Sequence, residues 1–383
     1  MRLITTNLTY KDIRPVIKKL TDRLFERVPA GVGSQGFVKL NSSQFKEVIK
    51  NGAKWCIEKS YGWEDDLKHT ELNGIMEGAD VSTISDKAIQ RGLKQIGTLG
   101  SGNHYLEIQR VQEKNIFDKE LAKKFGFFDD QIVIMFHCGS RGFGHQIGTD
   151  YLSKFLKVME FKYKIKILDR ELACAPFNSE EGQDYYKAMQ CGVNMSFANR
   201  QVIVHRLREV FSEVFKKSAE ELEMKQVWDV AHNRASIEKH EVDGKIKRLI
   251  IHRKGACGCY YPGREELPPI YKNYGSLAIL GGSMQTGSYL LLGTNGSKNT
   301  FCSTAHGSGR TMSRNQAKRT WRGDKLQKEM EQKGIYVKSV SFSGLAEEAG
   351  GAYKDIHSVV DATEKAGISR RFIGLIPIAN VKG

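Results

Sequence analysis

Apolar positions along the chain fall into two patterns. Short unbroken runs, bounded by polar residues or glycine, occupy residues 132–136, 249–251, 289–292 and 372–378. Their length and their β-branched or large side chains predict buried strands. In contrast, Ile203, Leu207, Val210, Phe211, Val214 and Phe215 recur at the spacing of one helix face. Residues 41–60 and 318–334 also read as helices, the second strongly charged, with 325–333 as a solvated face. No internal repeat, low-complexity tract or proline-rich linker interrupts the chain, so one continuous domain over residues 1–383 is expected.

Composition narrows the class. Hydrophobic residues make up 40% and charged residues 27%, ordinary for a globular protein. No stretch reaches the roughly 18 apolar residues of a membrane span, and residues 1–15 lack the apolar core of a signal peptide. A cytoplasmic protein without membrane association is the expectation. The net charge of +15 raises the local concentration of polyanions and favours nucleic acid as a partner. Seven cysteines, at 56, 138, 174, 191, 257, 259 and 302, are odd in number and scattered. That argues for reduced thiols, with the Cys257-Gly-Cys259 pair structural rather than metal-binding.

The candidate chemistry lies with histidine. Four of the ten histidines sit in similar settings: Gly100-Ser-Gly-Asn-His104, His137-Cys-Gly-Ser-Arg141, Ala231-His-Asn233 and His306-Gly-Ser-Gly-Arg310. Neutral imidazole is a preferred ligand of divalent transition metals. Adjacent glycine lets backbone approach a ligand, and Arg141, Arg310 and Arg314 offer forked contacts to phosphate. A lone histidine beside a strand is more often structural, but four with such flanks point to a phosphate substrate held beside a metal. His69, His145, His205, His240 and His357 lack those flanks, and His252 reads as near RNA or phosphate. There is no phosphate-binding loop and no obvious Lys-x-x-x-Gly nucleotidyl-transfer signature, so a covalently carried nucleotide would need another nucleophile, such as imidazole.

With these motifs in order, the sequence resembles the RtcB family of RNA-splicing ligases. The likeness extends through Asp169-Arg-Glu-Leu-Ala-Cys-Ala-Pro176, Ser179-Glu-Glu-Gly-Gln183, His252-Arg-Lys-Gly-Ala256, Gly282-Ser-Met284, Met312-Ser-Arg314, Tyr353-Lys-Asp-Ile356 and Val381-Lys-Gly383. It implies a single α+β domain with mixed sheets around a central metal and GMP pocket, ringed by helices. The implied activity is a GTP- and Mn2+-dependent RNA ligase that joins 2′,3′-cyclic phosphate or 3′-phosphate ends to 5′-hydroxyl ends. His306 would carry the guanylate. His104, His137 and His232 would bind two manganese ions. Asn103, Tyr105, Glu107, His232, Asn233, Gly281, Gly282, Ser283, Met284, Ser288, Gly307, Ser308, Gly309, Tyr353 and Lys382 would line the GMP pocket. Arg141, Arg310 and Arg314 would face phosphates or RNA. Implied partners are broken RNA ends, such as tRNA halves, and an archease-like activator.

The family pattern also has an Asp-x-x-Cys-Gly motif just ahead of the segment matching Met1, and the sequence does not contain it. Cys138 is no substitute, because a strand neighbour of His137 points the opposite way. This chain alone is therefore expected to bind metal weakly and ligate poorly. Smaller departures are Ser308 for alanine, Gln285 for glycine, and Gly258 for arginine. The second would tighten the nucleotide loop, and the third would remove a phosphate contact. Alternative functions are a metal-dependent phosphodiesterase acting on cyclic phosphates and a non-catalytic RNA-binding remnant.

Overall fold

The computed structural model describes residues 1–383. Its strands are β1 (Arg2–Thr9), β2 (Tyr105–Ile116), β3 (Gln131–His137), β4 (Gln226–Asp229), β5 (Asn233–Val242), β6 (Lys245–Lys254), β7 (Ala256–Gly258), β8 (Leu277–Gly281), β9 (Ser288–Gly293), β10 (Ser303–Ala305), β11 (Tyr336–Ser339) and β12 (Ser369–Lys382). One sheet runs β4-β1-β3-β2-β12-β9-β8, with β11 added against β12. Only the β11–β12 pairing is parallel. β5–β6 and β7–β10 form separate two-stranded ribbons. This is an α+β arrangement, with an antiparallel sheet covered by helices. No helix is long and apolar enough to cross a membrane.

The runs predicted as strands are buried because the sheet is covered on both faces. In β3, Ile132, Ile134 and Phe136 pack with Ile203, Leu207 and Phe211 of the long helix Glu180–Phe215. The alternate residues Val133 and Met135 pack into a second cluster with Leu290, Leu292 and Phe372. Each such side chain contributes about 1.5–3 kcal/mol by leaving water. β12 changes neighbours along its length, pairing with β9 up to Leu375 and with β11 from Ala379. Pro377, which has no N–H to donate, falls at the changeover.

Three details differ from the sequence expectation. The helix predicted around residues 203–215 begins at Glu180 and runs for 36 residues. Its middle carries Asn194, Asn199, Arg200 and Gln201, all buried, so no clean apolar stripe marks it. Asn194 and Asn199 instead bond backbone of other segments, Asn194 to Ile49 O and Met76 O and Asn199 to Thr98 O and Gly139 O. The stretch 318–334 is two helices, Arg314–Thr320 and Gly323–Gln332, broken at Trp321 and Arg322. There a Cβ on Gly323 would lie 2.0 Å from Phe342 O, so the backbones meet and the chain must turn. Residues 249–251 do form a strand, but only Ile251 is buried, because β6 belongs to a ribbon with one free face.

A buried carboxylate ties the sheet to the long helix. Asp229, at the end of β4, accepts from Arg2 Nε at 2.7 Å and from Arg200 Nε at 2.8 Å. Arg2 and Arg200 are themselves buried, and Arg200 Nη1 donates to Cys138 O at 3.2 Å. Farther along the helix, Arg208 grips Asp66 with two bonds of 2.7 Å. Burial alone would raise the pKa of Asp229, but the two guanidinium groups outweigh it and hold the carboxyl below its usual value. A depressed folded pKa contributes stability above the unfolded value near 4 and loses it as pH falls further. Asp229→Ala leaves two buried cations unpaired and is expected to cost about 3–5 kcal/mol, read as a lowered denaturation midpoint. A loss below 1 kcal/mol would show that water compensates the arginines.

Candidate functional site

The site lies where one end of the sheet meets the loops after β8 and β10. Sheet register places Lys382, Tyr105 and His137 side by side across β12, β2 and β3. The period-2 alternation of β2 puts Tyr105 and Glu107 on one face while Leu106 and Ile108 enter the helix-side core. Gly281 closes β8 and pins the neighbouring loop, since its N–H donates to His306 O at 3.1 Å and its carbonyl accepts from Ser308 N at 2.9 Å. A Cβ at Gly281 would lie 2.5 Å from the Tyr105 hydroxyl, so only glycine permits this approach. Together these segments enclose a cavity of about 240 Å3.

Four imidazoles converge beside it. The rings of His104 and His137 are 5.4 Å apart, those of His137 and His232 are 4.8 Å apart, and His306 stacks on His232 at 3.9 Å. Nε2 of His137 and Nε2 of His232 share a hydrogen bond of 2.8 Å. Burial depresses the pKa of all four. His104 falls to about 3 and His306 to about 4, with His137 and His232 also lowered. All four rings are therefore neutral near pH 7, the state that offers a lone pair to a metal or a phosphorus atom. Nδ1 of His232 and Nδ1 of His306 are buried without a hydrogen-bond partner.

Cations and one carboxylate complete the cavity wall. Arg310, Arg314 and Lys382 line it together with Tyr353. Glu348, which the sequence reading did not single out, gathers them. It lies 3.4 Å from Arg310, 3.5 Å from Arg314 and 3.5 Å from Lys382, and accepts from the Tyr353 hydroxyl. Nothing in its Ala-Glu-Glu-Ala surroundings signals this role, because the cations it gathers come from two other segments, around residues 310–314 and 382. Glu107, by contrast, is pushed up to about 8 by burial, with Lys382 and Gln109 opposing the shift. Gln285 Oε1 accepts from Gly350 N at 2.7 Å and ties the loop after β8 to the Glu348 segment.

The predicted site residues divide among several places. Asn103, Tyr105, Glu107, His137, Gly281, Gly282, Ser283 and Met284 line this cavity, as do His306, Gly307, Ser308, Gly309 and the four residues of the cationic wall. Ser288 does not, because it is buried in β9 and accepts from Gln109 Nε2. His232 and Asn233 line a second cavity of about 450 Å3 instead. Arg141 does not face the first cavity either. It donates through Nη1 to His104 Nδ1 at 2.8 Å and holds a left-handed φ of 59°, with its guanidinium filling the space a Cβ on Gly100 would need. At position 258 a Cβ would lie 3.0 Å from Glu71 Oε1, so a side chain there points into the core, not at a phosphate. His252 is exposed on β6, and Cys138 lines the second cavity, away from the first. Cys257 and Cys259 are buried thiols whose pKa burial raises, as a structural role requires.

The donor set meets the chemistry of a divalent ion only in part. The Nε2 atoms of His137 and His232 meet at 2.8 Å, but one must donate its proton to the other, so one ring is held in the tautomer that does not offer Nε2 to a metal. His104 adjoins them, but its Nδ1 lone pair already accepts from Arg141, which puts the ring proton on Nε2. No group of three His, Cys, Asp or Glu side chains is arranged to hold a metal.

Residues 1–383 match the family described as tRNA-splicing ligase RtcB. Among curated relatives, the tRNA-splicing ligase RtcB of Pyrococcus abyssi is 50% identical over 384 residues, covering 100% of this chain and 42% of the relative. That of Thermococcus kodakarensis is 48% identical over 384 residues, with 79% of the relative covered. The chain thus spans less than half of the first relative's length. The Aeropyrum pernix protein of the same name is 43% identical over 383 residues, also with 79% covered.

The depressed histidines couple stability to pH. The unfolded ring takes a proton near pH 6.5, whereas folded His306 takes one only near 4, so stability falls as pH drops through that window. His306→Asn should remove roughly 1–2 kcal/mol of the loss between pH 7 and pH 5, measured by urea midpoints. An unchanged pH dependence would mean that the folded ring already protonates freely.

Proposed function

Because the chain belongs to the RtcB family, we propose that it is an RNA ligase that uses GTP and Mn2+ to seal a 2′,3′-cyclic phosphate or 3′-phosphate end to a 5′-hydroxyl end. The observation that carries this reading is the neutral imidazole of His306, which opens onto a cavity walled by Arg310, Arg314 and Lys382. A histidine that remains unprotonated down to about pH 4 keeps its lone pair for a phosphorus centre.

In this reading, a nitrogen of His306 bonds to the α-phosphorus of GTP and the bond to pyrophosphate breaks. At a cyclic end water first adds to phosphorus as the P–O2′ bond breaks, leaving a 3′-phosphate and a 2′-hydroxyl. An oxygen of the 3′-phosphate then displaces the imidazole, leaving guanylate on the RNA end. Attack by the 5′-hydroxyl oxygen releases GMP and forms the phosphodiester, with the hydroxyl proton lost to solvent or a nearby base. Arg310 and Arg314 offset charge on the phosphates, and Tyr353 borders the guanine. Stacking on His232 orients the His306 ring. His137 and His232 would hold manganese, with His104 joining once Arg141 releases it. A bound ion would withdraw charge from phosphate oxygens. Broken RNA, such as tRNA halves, is the substrate, the cytoplasm its location and an archease-like protein its activator.

Incubation with α-labelled GTP and manganese is expected to leave acid-labile label on the chain. His306→Ala should reduce that label to background while leaving the fold intact by circular dichroism. Label that persists in His306→Ala would remove His306 from the proposed role.

A further inference from the structure

The imidazole pair is a partition between two cavities. His137 lines the first and His232 the second, with their Nε2 atoms 2.8 Å apart. The second cavity is the larger, and its lining includes His145, Arg200, His232 and Lys254 but no carboxylate. The lining also includes the exposed Asn233 and Lys254, which are the first register pair of the β5–β6 ribbon. From there the ribbon leads outward.

The two faces of that ribbon differ sharply. One is anchored by buried ion pairs, Arg253 with Glu238 and Arg234 with Glu71. The other is free. Along it the register pairs place Asn233 with Lys254, Ala235 with His252, Ile237 with Ile250, and Lys239 with Arg248. Lys254, His252, Arg248 and Lys239 are exposed, as are Ile237 and Ile246. Only Glu241 adds a negative charge on this face, and Lys239 is partly offset by Glu265 at 3.2 Å. From Lys254 to Arg248 the strand extends about 20 Å. A rigid, cationic strip with apolar side chains between its charges suits a flexible polyanion that carries flat bases.

We propose that the free face of the β5–β6 ribbon and the cavity behind His232 form one track for a single-stranded RNA end. The phosphates would lie along Arg248, His252 and Lys254, and the terminal nucleotide would enter the second cavity. RNA and nucleotide then approach the imidazole partition from opposite sides. This rests on the ligase reading for the identity of the reacting end, but not for the binding itself.

The test is binding of a fluorescent single-stranded RNA with a 3′-phosphate, followed by anisotropy across a salt series. Arg248→Glu combined with His252→Glu should weaken binding about tenfold and flatten the slope of log affinity against log salt by about 0.7 for each phosphate no longer neutralised. Lys325→Glu with Lys328→Glu, on the exposed face of the helix Gly323–Gln332, should leave binding unchanged. Capture of labelled GTP is read on the same proteins. Weakened RNA binding with retained label supports the track. RNA affinity unchanged in the ribbon variant, or weakened only in the helix variant, overturns it. Weakened RNA binding in the ribbon variant when even the parent chain captures no label upholds the track and removes the guanylation reading instead. Arg248→Gln, which is milder, serves if the double variant unfolds.

Discussion

The geometry of the site depends on one buried carboxylate. Asp229 sits between Arg2 and Arg200, three residues before His232. Arg200 in turn holds the carbonyl of Cys138, next to His137. Both imidazoles of the partition are thus referred to the same charge cluster, one through each side of it. An ion pair of this kind adds little net stability over apolar packing, because desolvating its charges is costly. Its use here is to fix position, since two guanidinium forks on one carboxylate leave few alternative registers for β1, β4 and the long helix.

Around that anchor the protein separates apolar and polar work by strand alternation. In β2 and β12 one set of alternate residues fills the helix-side core. The other set, Tyr105, Glu107, Asn380 and Lys382, is polar yet almost fully buried. Such residues are tolerated where partners or a ligand satisfy them. Glu107 pushed up by burial and Lys382 pulled down by it are signs of a pocket built for a polar guest. Glu348 fits the same logic, as a buried carboxylate that collects the cations of the cavity wall.

The chemistry inferred from this arrangement needs neutral imidazoles, excluded water and convergent cations. Burial supplies the first two together, because the desolvation that keeps His306 unprotonated is itself the exclusion of water from around its ring. The cations come from the segments around residues 310–314 and 382, and the second cavity leads away on the other side of His232. Family membership is what the whole-chain match shows, and the placement of these groups supports the proposed chemistry.

By itself, the sequence determined the local and the chemical parts. The runs at 132–136, 289–292 and 372–378 announced strands because a sheet covered on both faces demands unbroken apolar residues. The four histidines flanked by glycine, asparagine or arginine announced a site because few other roles call for that combination. Only the tertiary structure decided which of those residues share a cavity. Ser288 turned into a strand interior, Arg141 onto His104, and His232 onto the far side of the partition, since facing depends on register and ring rotation rather than spacing. The contacts of the buried polar residues in the long helix and the role of Glu348 were equally hidden at the level of sequence. Apart from Tyr353, their polar partners lie in other segments of the chain, and no local pattern records a contact made through space.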